Sequence, residues 1–417
     1  MVLLAPSPSI LQSVQRRTIR TLVVAQVLGA VGLAAGGTAG ALLAQDLTGD
    51  TAAAGLPLAL VVLGSGIGAV VVTRIMNLAG RRAGLTTAHL CGAAGASLSV
   101  AAAGLRDWPL LLGGCTLLGC GNAAVMLARY AAADLAGGRR GRSISTVVTA
   151  ASVGAVAGPN LLGPVGRVAR GLALPDATGL FLLAIPAFLA AALVLTVFLR
   201  PDPLLVARTG TSAGAPVAAP ITALLAANGN IRLALLVLAT SNLTMVAIMA
   251  VAPVQMHAHG AGLGMVGLMI SAHIGAMYLP SPITGALADR LGARRVTSGA
   301  ALVLVVAGTV ALVAGSGLVG TVIVLLLLGI GWNAGLIGGS ALLREAPIGQ
   351  SQQTWAEGLG ELGMGAAAAV GGGSAGLVLG AGGFAVLCLV AAVPCVLLLV
   401  LIATNPVAVE AAVEGET

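Results

Sequence analysis

The feature that most constrains this chain is a series of twelve apolar runs, each of roughly 20 residues. Such a run is long enough to cross about 30 Å of hydrocarbon as a helix, which satisfies its own backbone groups in lipid. The chain is 58% hydrophobic and 8% charged, which leaves too little polar surface for a soluble globule. The runs begin near Thr21, Leu56, Leu85, Pro109, Ser143, Gly179, Leu233, Leu263, Val296, Leu318, Trp355 and Phe384. The sequence therefore predicts an all-α membrane protein with twelve transmembrane helices.

A polar stretch rich in Pro, Gly and Ala divides the runs into two sets of six. We expect an N-terminal six-helix bundle over residues 1–199, a central cytoplasmic loop over 200–232, a C-terminal six-helix bundle over 233–403 and a cytoplasmic tail over 404–417. The first residues lack the charged start, short apolar core and cleavage site of a signal peptide, so the first apolar run is expected to remain as an anchor.

The arginines predict the orientation of these helices. The chain has 20 Arg, no Lys and 13 acidic residues, a net charge of +7. With a cytoplasmic N-terminus, 17 arginines fall on the cytoplasmic side and only Arg106, Arg167 and Arg170 fall opposite. This asymmetry follows the positive-inside rule and predicts a bacterial inner-membrane protein with both termini in the cytoplasm. Because the arginines punctuate apolar runs and form no continuous stripe, anionic lipid explains them better than nucleic acid does.

A charged motif recurs at the matching place in both halves. The sequence GALADRLGARR, which begins at Gly285, joins the eighth and ninth predicted helices, and a partial copy joins the second and third. The motif resembles the G-x-L-a-D-R-x-G-r-R/K signature of the major facilitator superfamily, with Asn77 in place of the acid in the first copy. The residues of this candidate cytoplasmic latch are Gly285, Asp289, Arg290, Gly292, Arg294 and Arg295, and Asn77, Gly80, Arg81 and Arg82.

The resemblance implies two pseudo-symmetric six-helix bundles that rock about a substrate site near the membrane midplane. In this arrangement the latch would hold the two halves together on the cytoplasmic side. Gly80 and Gly292 allow tight turns, and Asp289 is able to cap a neighbouring helix N-terminus and to pair with arginine.

The fifth predicted helix carries a second family-like motif. Residues 145–163 resemble the antiporter motif G-x8-G-x3-G-P-x2-G-G with two glycines replaced, and in the superfamily this motif marks exporters. The matching residues are Gly154, Gly158, Pro159 and Gly163. The alternative is a kinked, closely packed helix, because proline removes a backbone hydrogen bond and glycine removes side-chain bulk.

Titratable residues inside apolar runs are candidates for proton coupling. Glu357 and Glu361 are four residues apart and share one face of the eleventh predicted helix. A carboxylate at that depth is expected to be paired, water-facing or protonated. His273 in the eighth helix is the other candidate, because imidazole titrates near neutral pH. The alternatives are a buried structural ion pair, a Glu357 that reaches the interface, and a His273 that only packs through a hydrogen bond.

The end of the fourth predicted helix and the adjacent basic loop form a candidate charged gate. Arg129, Tyr130 and Asp134 lie there, and we expect Asp134 to pair with Arg129 or with Arg139 and Arg140. The alternative is a helix end whose long side chains reach the interface around a local ion pair.

Polar and aromatic side chains within apolar helices are candidate substrate ligands. With only nine aromatic residues in the chain, a large aromatic cage is not expected. The candidates are Asn122, Asn242, Asn333, Gln26, Trp332 and Tyr278. The amides among them have the alternative role of holding helices together.

We predict no metal site and no cofactor. The five cysteines lie in apolar segments without ligand spacing, and Met256, His257 and His259 at the outer end of the seventh helix are expected to form a plain turn.

Secondary active transport of a small organic molecule by alternating access is the leading functional hypothesis, with proton-coupled export favoured and a monomer as the functional unit. The expected partners are a small-molecule substrate, protons and the lipid bilayer. Uptake of a small nutrient is the main alternative, and a non-transporting receptor or scaffold is the third possibility. The sequence contains neither a phosphate-binding loop nor a catalytic motif, so an ATP-driven pump and an enzyme are both disfavoured.

Overall fold

The computed structural model describes residues 8–33, 35–49, 53, 55–209, 225–226, 228–313 and 317–404, and their regular structure is helical. Apart from one short helix in the connection between the halves, these described residues form twelve successive helices, which confirms the predicted fold class. In chain order they are α1 (Pro8–Leu33, continued by a π-helical turn at Ala35–Ala39 and by Gly40–Thr48), α2 (56–79), α3 (81–105), α4 (Trp108–Ala131), α5 (Arg140–Asn160 and Leu162–Gly171), α6 (Thr178–Phe198), α7 (Gly229–Ala258), α8 (Leu263–Tyr278 and Ser281–Leu291), α9 (Ala293–Val313), α10 (Leu318–Glu345), α11 (350–382) and α12 (384–404).

Several of these helices run into one another with little or no loop. Among the described residues, eight continuous segments are long and apolar enough to cross a membrane, or nine when the bent pair that forms α5 is counted. The segments Leu56–Leu105 and Gln350–Thr404 each contain two helices. They reverse direction at Gly80, with a φ of 89°, and at Gly383, with a φ of 76°, a region that residues with a Cβ rarely adopt.

The connection between the halves is partly helical. A short helix, Pro203–Thr209, follows α6, and α7 begins at Gly229, inside the predicted loop 200–232. The side chain of Asn228 explains this start, because its Oδ1 accepts hydrogen bonds from the backbone N–H groups two and three residues on, at 3.1 and 3.2 Å. Residues 210–224 of the loop and 405–417 of the tail lie outside the described residues.

The buried core is shared by both halves on one side of the molecule only. We call this side the arginine-rich face; it holds the α2–α3 and α8–α9 turns. The largest apolar cluster lies toward it and combines residues of both halves, such as Tyr130 and Trp332. The other two clusters each belong to one half, with members from residues 35–188 and from 247–395. The halves are therefore packed together at the arginine-rich face and have separate cores toward the opposite face.

Two helix pairs make the main contact between the halves, α2 with α11 and α5 with α8. Glycines allow the backbones to approach closely. A Cβ on Gly358 would lie 2.6 Å from Thr73 Oγ1, and a Cβ on Gly285 would lie 2.5 Å from the carbonyl oxygen of Gly141.

Candidate functional site

Four buried side chains of alternating charge connect the halves at the arginine-rich face, and we call them the charge ring. They are Arg81 of α3, Asp134 after α4, Arg344 in the last turn of α10 and Glu357 of α11. Arg81 donates to both carboxylate oxygens of Asp134 at 2.9 Å, and to those of Glu357 at 2.6 and 3.0 Å. Arg344 lies 3.2 Å from Asp134 and donates to Glu357 at 3.1 Å. All four side chains are at most 2% exposed, where a charge is stable only when it is paired.

The charge ring consists of one neutral pair from each half. Arg81 with Asp134 belongs to the N-terminal half, and Arg344 with Glu357 belongs to the C-terminal half. The contacts between the halves are Arg81 to Glu357 and Arg344 to Asp134. Each half therefore keeps an internal ion pair when these contacts separate.

A second ion pair lies farther from the arginine-rich face than the charge ring does, and we call it the inner pair. Arg129 of α4 donates from Nη2 to Glu361 Oε1 at 2.5 Å, and from Nε to Ser340 Oγ at 2.8 Å. In its own half, Arg129 contacts the Met126 carbonyl, donates to Tyr130 Oη at 3.1 Å and lies 4.4 Å from that ring's centre. Glu361 lies one turn, about 6 Å, along α11 from the charge ring. Within the described residues, Arg129 is the one cation that pairs with Glu361.

The partners of Asp134 differ from the predicted ones. The sequence suggested Arg129, or Arg139 and Arg140, whereas Asp134 binds the two arginines of the charge ring. The prediction was wrong because α4 ends three residues before Asp134, which lies in the turn that follows and no longer shares a helix face with Arg129. The guanidinium of Arg81 in α3 donates to both carboxylate oxygens of Asp134, and such a two-point contact is stronger than a single hydrogen bond.

Two residues of this site, Arg344 and Ser340, were not predicted from the sequence. Arg344 lies in the last turn of a long apolar helix, and in the sequence it contributes only to the arginine asymmetry that predicts the orientation of the helices. Two buried carboxylates need two cations beside them, but which arginine supplies the second cation depends on how the helices pack. The small residues that precede Arg344 in α10 allow the close packing that brings Ser340 to Arg129.

A small central cavity lies between the halves beside the inner pair. Its volume is about 10 Å³, which has room for about one water molecule. It is lined by Gln26, Val125, Met126, Arg129, Val148, Ala151, Tyr278 and Leu336. Arg129 thus forms part of the cavity wall and part of the inner pair.

Three of the predicted substrate ligands lie together in the C-terminal half. Trp332 donates from Nε1 to Asn242 Oδ1 at 3.0 Å, and its ring meets the Tyr278 ring edge-on at a centroid distance of 6.0 Å. Asn242 also donates to the Met364 carbonyl at 2.8 Å. This group connects α7, α8, α10 and α11, and Tyr278 extends it to the central cavity.

The remaining candidate amides connect helices within one half. Gln26 donates to the Val125 carbonyl at 3.1 Å, and Asn122 donates to Ser65 Oγ at 3.0 Å. Asn333 is fully buried and makes three hydrogen bonds of 2.7 Å to α8, one as acceptor and two as donor. Asn333 thereby joins α10 to the break in α8, where helical hydrogen bonds are interrupted.

His273 is buried and lies apart from both ion-pair groups. Its Nδ1 is 2.7 Å from the Leu325 carbonyl oxygen, and Nε2 has no partner within the described part of the chain. The contact between α8 and α10 matches the packing alternative, and a coupling role for His273 stays a prediction.

The second copy of the latch motif joins α8 to α5. The carboxylate of Asp289 accepts hydrogen bonds from the backbone N–H groups of Gly141 at 2.7 Å and Arg142 at 3.1 Å, so it caps the N-terminus of α5 in the other half. Arg294 and Arg295 donate to main-chain carbonyls of α12 and α8, at 2.9 and 3.2 Å. The hydrogen bonds that this copy makes across the halves are therefore accepted by its acid.

The first copy binds the connection between the halves. Asn77 donates to a carbonyl at the start of α11 at 3.2 Å and accepts from Arg208 at 2.8 Å. Asp202 accepts from the backbone N–H of Arg82 at 2.7 Å, and a Cβ on Gly80 would lie 2.5 Å from its carboxylate. The helix Pro203–Thr209 is thus held against the α2–α3 turn.

The antiporter-like motif lies where α5 packs on α1. A Cβ on Gly154 would lie 2.5 Å from Ala30 Cβ, whereas nothing lies within 4 Å of a Cβ on Gly163. Gly158 and Pro159 belong to the part of α5 whose side chains fall outside the described residues, and beyond them the helix bends by 56°. The close approach at Gly154 agrees with the packing alternative, and the export role stays a prediction.

The described side chains at the outer end of α7 do not form a cluster of metal ligands. Met256 is buried in the apolar core, and His259 Nδ1 lies 2.9 Å from the Gln255 carbonyl oxygen. The side chain of His257 lies outside the described residues, and no group of three His, Cys, Asp or Glu is found within them.

Comparison with known proteins decides the family. The uncharacterized MFS-type transporter YdeG of Bacillus subtilis is 41% identical over 346 residues, which cover 82% of this chain and 80% of YdeG. The uncharacterized MFS-type transporter YddS of the same organism is 35% identical over 404 residues, 94% of this chain and 92% of YddS. The chain belongs to the major facilitator superfamily. This membership makes it a multi-pass membrane transporter and not an enzyme, as the sequence predicts.

One further relative and two solved structures are also similar to this chain. The riboflavin transporter RfnT of Brucella anthropi is 31% identical over 337 residues, 79% of this chain and 81% of RfnT. Among solved structures, the proton:xylose symporter XylE matches with a TM-score of 0.73 at 16% identity over 93% of this chain and 95% of XylE. The Escherichia coli fucose:proton symporter FucP matches with a TM-score of 0.72 at 17% identity over 92% of this chain and 97% of FucP. No family model matches the chain.

Proposed function

We propose that this major facilitator protein exports a small organic molecule across the bacterial inner membrane in exchange for protons. Both termini and the arginine-rich face would lie in the cytoplasm, and one chain would be the functional unit. The observation that carries the proton-coupling part of this proposal is the inner pair, a buried cation and carboxylate contributed by opposite halves.

Charge balance distinguishes the inner pair from the charge ring. If the halves separate at the arginine-rich face, the charge ring divides into two neutral pairs. The inner pair instead divides into a lone cation on one half and a lone carboxylate on the other. Leaving buried charges unpaired costs several kcal/mol, so the transition needs a compensating step.

Protonation of Glu361 supplies that step. A neutral Glu361 no longer holds Arg129, and Arg129 keeps its contacts with Tyr130 and Met126 in its own half. Because Arg129 also lines the central cavity, its guanidinium then becomes available to a substrate. This cycle links opening of the arginine-rich face to one proton, and it makes Glu361 rather than Glu357 the coupling residue.

The direction of transport is supported by the antiporter-like motif of α5 together with the arginine asymmetry. The motif marks exporters in the superfamily, and the arginines favour a cytoplasmic position for the face that is closed here. A proton that enters from the opposite side and protonates Glu361 would open this face, where the exported molecule binds.

Uptake of a small nutrient is the second candidate, and the name of one relative points to a nutrient as the substrate. The riboflavin transporter RfnT is 31% identical to this chain, so a flavin or a similar heteroaromatic vitamin is a substrate to test first. Uptake and export share the same proton step at Glu361. They differ in whether an inwardly directed proton gradient draws the substrate in or drives it out.

The test is transport into proteoliposomes, first with riboflavin and then with compounds that raise the unfolding temperature of the protein. Glu361→Gln is expected to abolish accumulation driven by a pH gradient while exchange at equal concentrations persists. Glu357→Gln is the matched control, since it changes a buried carboxylate one turn away on the same helix face, and it should retain gradient-driven accumulation. Undiminished accumulation in Glu361→Gln would exclude Glu361 from coupling, and the absence of any counterflow would favour a receptor or scaffold.

A further inference from the structure

An open groove lies at the arginine-rich end of α1 and α6, and it shares no lining residue with the central cavity. Its volume is about 720 Å³, within the range of pockets that bind drug-sized ligands. It is lined by Ser13, Arg16, Arg17, Arg20, Thr21, Val24, Val194 and Phe198. Three arginines and three apolar side chains therefore line one groove.

The arginines of the groove share one face of α1. Ser13, Arg16, Arg17, Arg20 and Val24 follow the spacing of three and four residues that places side chains in one row. All three arginines are exposed, and none lies within 4.0 Å of a carboxylate in the part of the chain that the structure describes. The groove therefore carries three positive charges without a protein counter-ion among those residues.

The apolar side chains that line the groove face lipid. Val24 is 49% exposed and Phe198 is 51% exposed, whereas the opposite face of α1 is packed, with Gln15 donating to the Ala132 carbonyl at 2.6 Å. An exposed apolar surface directly beside three arginines matches a molecule that has an anionic head and apolar chains. Basic sites between transmembrane helices at the cytoplasmic side recognise lipids of this class.

We propose that this groove binds one anionic phospholipid, with its phosphate on Arg16, Arg17 and Arg20 and its first methylene groups on Val24, Val194 and Phe198. The bound lipid joins α1 to α6 within the N-terminal half. None of its lining residues lines the central cavity, so the proposal stands whichever direction or substrate is found.

The test is native mass spectrometry of the full-length purified protein with phosphatidylglycerol, and with phosphatidylcholine of the same acyl chains. Wild type is expected to retain phosphatidylglycerol in preference. At about 1 kcal/mol for each arginine near anionic lipid, each substitution lowers the affinity about fivefold. Arg16→Gln, Arg17→Gln and Arg20→Gln together should therefore lower phosphatidylglycerol affinity roughly 100-fold.

A matched triple variant separates the groove from general surface charge. Arg74→Gln, Arg139→Gln and Arg232→Gln together remove the same charge from the arginine-rich side outside the groove. This variant should bind phosphatidylglycerol within about twofold of wild type, because it leaves the groove intact. An equal loss in both triple variants would mean diffuse attraction to the surface and would overturn the proposal.

Two further variants keep the proposal testable if the first triple variant fails to fold. Val24→Trp fills the groove and keeps every charge, so it should weaken phosphatidylglycerol binding, and unchanged binding would overturn the proposal. Removal of residues 405–417, which contain three glutamates, should leave binding unchanged. A severalfold gain on removal would identify the tail as the occupant of the groove instead of lipid.

Discussion

Glu357→Gln should open the arginine-rich face without unfolding the protein. The substitution leaves the buried charge ring with two guanidinium groups and one carboxylate, and it removes the charge behind the contacts at 2.6 and 3.0 Å between the halves. Breaking a buried ion pair by removing one partner costs about 3–5 kcal/mol. The cost falls on the closed state, because water solvates Arg344 once the face opens.

This cost is large enough to change the populations of the two states. At 1.4 kcal/mol for each factor of ten, a cost of about 3 kcal/mol shifts the equilibrium roughly 100-fold. A protein that is closed in about 99 molecules of 100 would then have the two states in near equal numbers.

Distances between spin labels measure this shift. The labels are placed at Leu78 in the N-terminal half and at Leu291 in the C-terminal half. Both leucines are exposed and lie near the two turns of the arginine-rich face. In a background without the five native cysteines, Glu357→Gln should add a longer distance with about half of the population. Asp176→Asn is the control, since this residue forms an exposed ion pair with Arg170 within one half. An unchanged distribution in folded Glu357→Gln would refute the role assigned to the charge ring.

Two further predictions concern the α5 contacts. Asp289→Asn should shift the equilibrium between the closed and open states toward the open state by about 1 kcal/mol, because an amide replaces the carboxylate that caps α5. The same label distances measure this shift, and an unchanged distribution would leave Asp289 with a folding role alone. Gly154→Ala should lower the free energy of unfolding by about 1–3 kcal/mol through its clash with α1, whereas Gly163→Ala has open space and should be neutral. Thermal unfolding of both glycine variants in detergent checks this, and equal stability would contradict the close packing at Gly154.

The helices were predictable from sequence because the thickness of the bilayer limits their lengths. The predicted starts at Leu56 and Leu318 coincide with the first residues of helices in the structure. The positions of two turns were also predictable. Gly80 and Gly292 were expected at tight turns, and both have positive φ.

The partners within the candidate site were not predictable in the same way. Arg81 and Asp134 are 53 residues apart, and Arg129 and Ser340 are 211 residues apart, so their contact depends on how the helices pack. The depth of a residue in its own helix is readable from the sequence, but the neighbour at the same depth is not. This is why Glu357 and Glu361 were both recognised as acidic residues on one face of an apolar helix, while their division between the charge ring and the inner pair required the structure.

A double substitution at the inner pair separates charge balance from proton transfer. Glu361→Gln alone leaves Arg129 buried without its partner when the face is closed, so it should shift the label distances toward the open state. Adding Arg129→Gln removes that unpaired charge, and the closed state should recover most of its population. In a double-mutant cycle this recovery corresponds to an interaction energy between the two sites of about 1–3 kcal/mol. Gradient-driven transport should stay absent in the double variant, because no group that takes up the proton has been restored. If the double variant instead recovered gradient-driven transport, the proton would be carried by another residue, and the inner pair would serve only to hold the halves together.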